Sequence, residues 1–118
     1  MSEEHTDDYK KMMIQKRFIN DVEQGIRIAN REIIHTKLPT LNKDTVLAFA
    51  VAIARLRARY LEAAFRAAET DKGEPLDQSE VNELRTHREA YEETKEAFEA
   101  LRYAIEQGYV DVVLDEDE

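Results

Sequence analysis

Apolar side chains recur every seven residues along most of this chain, and that spacing leaves few folds open to it. Met12, Ile19, Ile26 and Ile33 form one such line, with Val22 and Ala29 between them; Leu84, Tyr91, Phe98 and Ile105 form another. Seven residues are close to two turns of α-helix, so each line lies on one helix face. The stretch between them carries three lines: Val46, Ile53 and Tyr60; Phe49 and Leu56; Leu47 and Leu61. Its apolar arc is the widest, which predicts that the middle helix is the most buried.

Punctuation divides the pattern into three. Pro39 and Pro75 sit in the polar stretches "HTKLPTLNKD" and "ETDKGEPLDQS", while Gly73 and Gly108 follow helical runs, where a glycine is expected just past a helix end. The segments are about 7–37, 43–70 and 78–107, each on the order of 42–47 Å long at 1.5 Å per residue. Asn42 is placed to cap the second segment, with Leu41 and Val46 as a hydrophobic staple, and Asp77 with Glu80 has capping-box spacing. Equal lengths and short connections predict an all-α fold: an antiparallel up-down-up bundle over residues 1–108 with an extended tail over 109–118. A break at Gly25 would give four helices instead; one mid-helix glycine costs only about 1 kcal/mol, which favours the unbroken form. Beside the third line run Ala90, Ala97 and Ala104, flanked by Arg88, Lys95 and Arg102. Small residues at that spacing let another helix approach, within the chain or from a second copy.

Charge narrows the range of partners. The net charge is −9, and it is unevenly spread. Residues 1–44 balance, residues 45–70 carry four arginines against Glu62 and Glu69, and residues 71–118 hold five basic against sixteen acidic side chains. A free nucleic acid is repelled by the last third, and direct nucleic-acid binding is not expected. Arg55, Arg57, Arg59 and Arg66 are spread around their helix rather than gathered in a stripe, so pairing with the acidic third helix is their expected use. Cysteine is absent, which excludes disulfides and thiolate chemistry. The start "MSEEHTDDYKK" has no apolar core of a secretory signal, and "TVLAFAVAIA" is about half of the ~20 residues a membrane span needs. A cytoplasmic, non-membrane protein is the expectation. In "YKKMMIQKR" the cations around Met12 and Met13 suit a helical partner better than a membrane, since Glu3, Glu4, Asp7 and Asp8 precede them.

Reactive groups are few. Serine occurs only at Ser2 and Ser79, the latter at a helix start, and the three glycines are too far apart for a phosphate loop. A carboxylate-bridged metal site in a bundle needs a Glu-x-x-His pair on each of two helices. Glu32 and His35 supply one such pair; His87 has Glu83 four residues before it, outside that spacing. A metal-dependent or acid–base enzyme using Glu32, His35, Glu83 and His87 is therefore the alternative reading. With Ile33 turned inward, His35 points about 160° away from the core. His87 shares the inward side with Leu84 and Tyr91, and can serve as a base, a pH switch or a packed imidazole. No cofactor is expected.

The remaining features concern partners. Glu89, Glu92, Glu93, Glu96 and Glu99 line the outer side of the third segment, either as a solvated face or as a docking surface for a basic partner. An acidic mimic of nucleic acid is a further alternative, weakened by the positive middle segment. After Gly108 the chain alternates as a strand does: Val110, Val112 and Leu114 on one side, Tyr109, Asp111 and Val113 on the other. With no other strand in the sequence, it must cover apolar side chains such as Tyr103 or add to another molecule, and the acids 115–118 keep it soluble. Together these features predict a small non-enzymatic protein–protein interaction module that self-associates.

Overall fold

A computed structural model of the chain describes residues 2–114, with side chains from residue 6 onward. It is all-α and 82% helical, with α1 at Ser2–His35, α2 at Lys43–Thr70 and α3 at Gln78–Glu106. α1 begins five residues before the expected start and runs unbroken through Gly25, which meets nothing within 4 Å. The acids 115–118 lie outside the described residues.

Local chemistry sets the ends. The Asn42 side chain accepts from the Thr45 N–H at 2.8 Å, capping α2. At α3, Asp77 accepts from the Glu80 N–H at 2.8 Å while Glu80 accepts from the Asp77 N–H at 3.0 Å, a complete capping box. Both helices end in a Schellman turn. For α3, Gly108 takes φ 76° and the Tyr109 N–H donates to the Ala104 carbonyl at 2.8 Å. For α2 the expected glycine is displaced: Lys72 itself takes φ 53° and Gly73 follows at φ 86°. The Gly73 N–H closes that turn on the Ala68 carbonyl, and no nearby atom crowds the unusual backbone.

Among the described residues one pair of helices packs side by side. α2 and α3 run antiparallel, with Phe49 edge-on to Phe98 at 5.4 Å between centroids and Arg57 over the Tyr91 ring at 5.2 Å. α1 lies side by side with neither of them among the described residues. The three helices expected from the heptads are present, but α1 stands out as an arm. The radius of gyration is 24.0 Å, whereas a compact chain of this length would have about 13–14 Å. Among the described residues the buried core is Leu41, Ile53 and Val110, which are 7%, 8% and 6% exposed. Two helices have too little facing surface to enclose more.

The tail finds its partner inside the chain. Leu41, in the connection between α1 and α2, forms a single parallel bridge with Val112. The Leu41 N–H donates to the Asp111 carbonyl at 2.9 Å, and the Val113 N–H donates to the Leu41 carbonyl at 2.8 Å. The sequence offers no second strand, yet one extended residue, the position before the α2 cap, is enough to hold the tail. Tyr109 meets Tyr103 edge-on at 6.2 Å, the apolar contact that accompanies a Schellman turn.

Ile53→Ala is expected to lower stability by about 2–3 kcal/mol, because it empties the only buried position on the α2–α3 seam. Urea unfolding followed by circular dichroism measures it; a change near zero would mean that this seam does not hold the hairpin together.

Candidate functional site

The junction of α1, the 36–42 connection and the tail is the most organised feature outside the hairpin. Arg31 Nη2 lies 2.8 Å from Asp111 Oδ1, and His35 Nδ1 lies 3.7 Å from Asp111 Oδ2. The arginine is more than half exposed, so this pair orients α1 more than it stabilises the fold, being worth about 0–1 kcal/mol. Beneath it Ile33, Ile34, Leu38, Leu41, Val46, Phe49, Leu101 and Val110 line an apolar groove of about 510 Å³. Leu41 and Val46, the expected staple, both belong to it.

From this groove an apolar stripe runs outward along the arm. Met12, Ile19, Ile26 and Ile33 are 67%, 51%, 48% and 64% exposed, and Phe18 and Val22 stand beside them. The line expected to be a core seam is thus an open surface. α2 carries a second open stripe. Leu47, Ala54, Leu61 and Ala68, with Val51, Ala58 and Phe65 between them, are all exposed. They are offset by two residues from the α3-facing set of Phe49, Ile53, Leu56 and Tyr60, about 160° around the helix. The width of the α2 arc therefore comes from two separate faces, one against α3 and one bare. The alternating four-then-three spacing of the bare set is legible in the sequence once the two faces are read apart.

Elsewhere the residues proposed for chemistry separate. Glu32 and His35 lie at the α1 end, near the start of α2. His87 lies at the other end of the hairpin, half-buried beside Ala63, Arg66 and Thr70 of α2, with Nε2 3.9 Å from Glu83 Oε1. The two pairs do not converge. Among the described residues no three His, Asp or Glu side chains come together as a metal-binding group. The α2 arginines meet neighbours other than the expected acids of α3: Arg57 donates to the Tyr91 hydroxyl at 3.0 and 3.2 Å, and Arg66 pairs with Glu62 on its own helix at 3.4 Å.

Of the acidic face, Glu92 and Glu99 are met by Lys95 at 3.3 Å and Arg102 at 4.0 Å, while Glu89, Glu93 and Glu96 stand exposed. The tail residues divide as well: Val110 is buried, Tyr109 and Val112 are half-buried, and Tyr103, Val113 and Leu114 are exposed.

Among the described residues one titrating group, Glu80, departs from its ordinary behaviour. The Asp77 backbone N–H, its strongest influence, holds the Glu80 carboxyl down. The Asp71 carboxyl, partial burial and the charges of Asp71 and Asp77 outweigh it, leaving Glu80 above its ordinary value of 4.5. Asp71 Oδ2 is buried without a donor, and a proton shared with Glu80 would supply one.

Among the described residues no helix is long and apolar enough to cross a membrane. Comparison of the chain with protein-family models, curated proteins and solved structures gives no match.

Because Glu80 is raised in the folded state, the stability it contributes is present below the unfolded value and fades as pH rises through the folded one. Glu80→Gln keeps an acceptor for Asp77 and gives Asp71 a donor. Melting curves at pH 5 and pH 7 should show the variant gaining at pH 7 and losing part of the parent's pH dependence. An unchanged slope with pH would refute the shared-proton account.

Proposed function

We propose that this chain is a non-enzymatic protein–protein interaction module that works through its helix faces and can associate with itself. The observation that carries this reading is the arm. A 34-residue helix with an apolar stripe from Met12 to Ile33 that is about half to two-thirds exposed at each position of its sevenfold line is a docking element, since contiguous exposed apolar patches mark contact sites. An isolated helix gains most of its stability from packing that stripe, so a binding partner also completes the fold.

The C-terminal segment has a smaller part in this reading. Its hold on Leu41 sets where the arm leaves the hairpin, and Val113 and Leu114 extend the contact surface. The exposed acids Glu89, Glu93 and Glu96 keep the opposite side of the hairpin soluble and favour a basic neighbour. Separation of Glu32 and His35 from Glu83 and His87 favours the interaction reading over an acid–base or metal-dependent enzyme. The positive balance of residues 45–70 disfavours a nucleic-acid mimic.

Affinity capture from native cells, followed by mass spectrometry, tests the reading with the parent chain and with a variant carrying Ile19→Glu and Ile26→Glu. The parent should retain proteins, its own untagged copy among them, that the variant loses. Equal sets on both would remove the arm from the proposed function.

A further inference from the structure

We infer that the arm of one chain packs on the bare face of α2 in a second copy, and that the exchange is reciprocal. This rests on the interaction reading above and names its partner. The two open stripes match in length. On α1 the stripe spans residues 12–33, and on α2 it spans 47–68, each rising through three heptads. Laid antiparallel, Ile33 meets the partner's Leu47, Ile26 the partner's Ala54, and Ile19 the partner's Leu61. Between these layers Ala29 meets the partner's Val51 and Val22 meets the partner's Ala58. Large side chains face small ones in several layers, as close helix packing requires.

Charges along one flank of that register agree. Lys16 falls beside the partner's Glu62, and Glu23 beside the partner's Arg55. Other self-pairings fit less well. Two arms paired antiparallel would bring Glu23 against its own copy on the two-fold axis. Two α2 faces paired the same way would bring Arg57 against its own copy and leave both arms bare.

The junction explains why the arm does not serve its own chain. Leu41 is tied on both its N–H and its carbonyl, and Asp111 holds Arg31, so α1 leaves the hairpin in a fixed direction. A two-fold axis that bisects arm and hairpin lays each arm along the other copy's hairpin, closing the assembly at two chains.

Area supports the same conclusion. The chain exposes 9993 Å², whereas a compact monomer of 13.7 kDa would expose about 6,600 Å². The excess of about 3,400 Å² per chain is well above the ~800 Å² that each partner buries in a standard interface, and is enough for the larger areas buried by permanent dimers.

The test uses full-length chains carrying Glu23→Arg or Arg55→Glu, followed by sedimentation equilibrium. The parent is expected to be a dimer. Each variant alone creates two like-charged contacts per dimer and should weaken association about tenfold. An equimolar mixture of the two variants restores opposite charges at both contacts, so heterodimers should regain the parent's affinity. Closure of each arm on its own chain predicts no gain on mixing, and α2–α2 pairing predicts that Glu23→Arg has no effect; either result overturns the exchange. A monomeric parent overturns it too. If that monomer still captures other proteins in an arm-dependent way, the interaction reading survives; if it captures none, both fall.

Discussion

The hold of the tail on Leu41 governs the rest of this molecule. Two backbone hydrogen bonds of 2.8–2.9 Å tie the residue before the α2 cap to Asp111 and Val113. Leu41 and Val110 are buried there, and they form the core together with Ile53. The same tail residue, Asp111, pairs with Arg31 at 2.8 Å. A connection that would otherwise be a loose loop thus becomes a fixed corner, and the direction of α1 follows from it. Single bonds of this kind are each worth only about 1 kcal/mol, but backbone and side-chain contacts at one point act together.

From that corner follows an unequal distribution of burial. α2 is a helix with two apolar sides, and α3 can cover only one of them. α1 is a helix with one apolar side, and among the described residues only its end, at Ile33 and Ile34, meets the groove over α2 and α3. A surface of this extent is costly in water at about 25 cal/mol per Å², which is why such helices are found associated. The charged residues fit the same picture. On α3, Lys95 and Arg102 relieve part of the acidic face locally, and Arg57 is occupied by the Tyr91 ring and hydroxyl. Polar groups therefore stay on the outer side of the hairpin, leaving the apolar stripes free of competing charge.

The histidines show how position decides chemistry. His35 shares Asp111 with Arg31 at the corner, where a carboxylate already has a permanent cation. His87 sits half-buried near the far end of α2, with one carboxylate 3.9 Å away. The recess that holds His87 is also lined by Glu62, Glu80 and Glu83, together with Arg59 and Arg66, but among the described residues no three of these acids and imidazoles come together as a metal-binding group. Asp71 and Glu80 form the tighter ionisable cluster, and it belongs to the turn between α2 and α3.

Helix number, the limits of α2 and α3 and their N-caps were legible in the sequence, because they depend on spacing within a few turns: the sevenfold repeats, Asn42, the Asp77–Glu80 box and Gly108. The start of α1 was not, and lies five residues earlier than the spacing placed it. The heptad lines also marked which faces are apolar. They left open what each face meets, since a seam reads the same whether its partner lies in the same chain or another. Lys72 at the left-handed position escaped notice because nothing in a lysine announces it. The Leu41–Val112 bridge escaped for a different reason: it joins residues far apart in the chain through one extended position, and no local pattern encodes that. Local periodicity determined the helices; only the long-range tie at the corner decided that the first of them would stand apart from the other two.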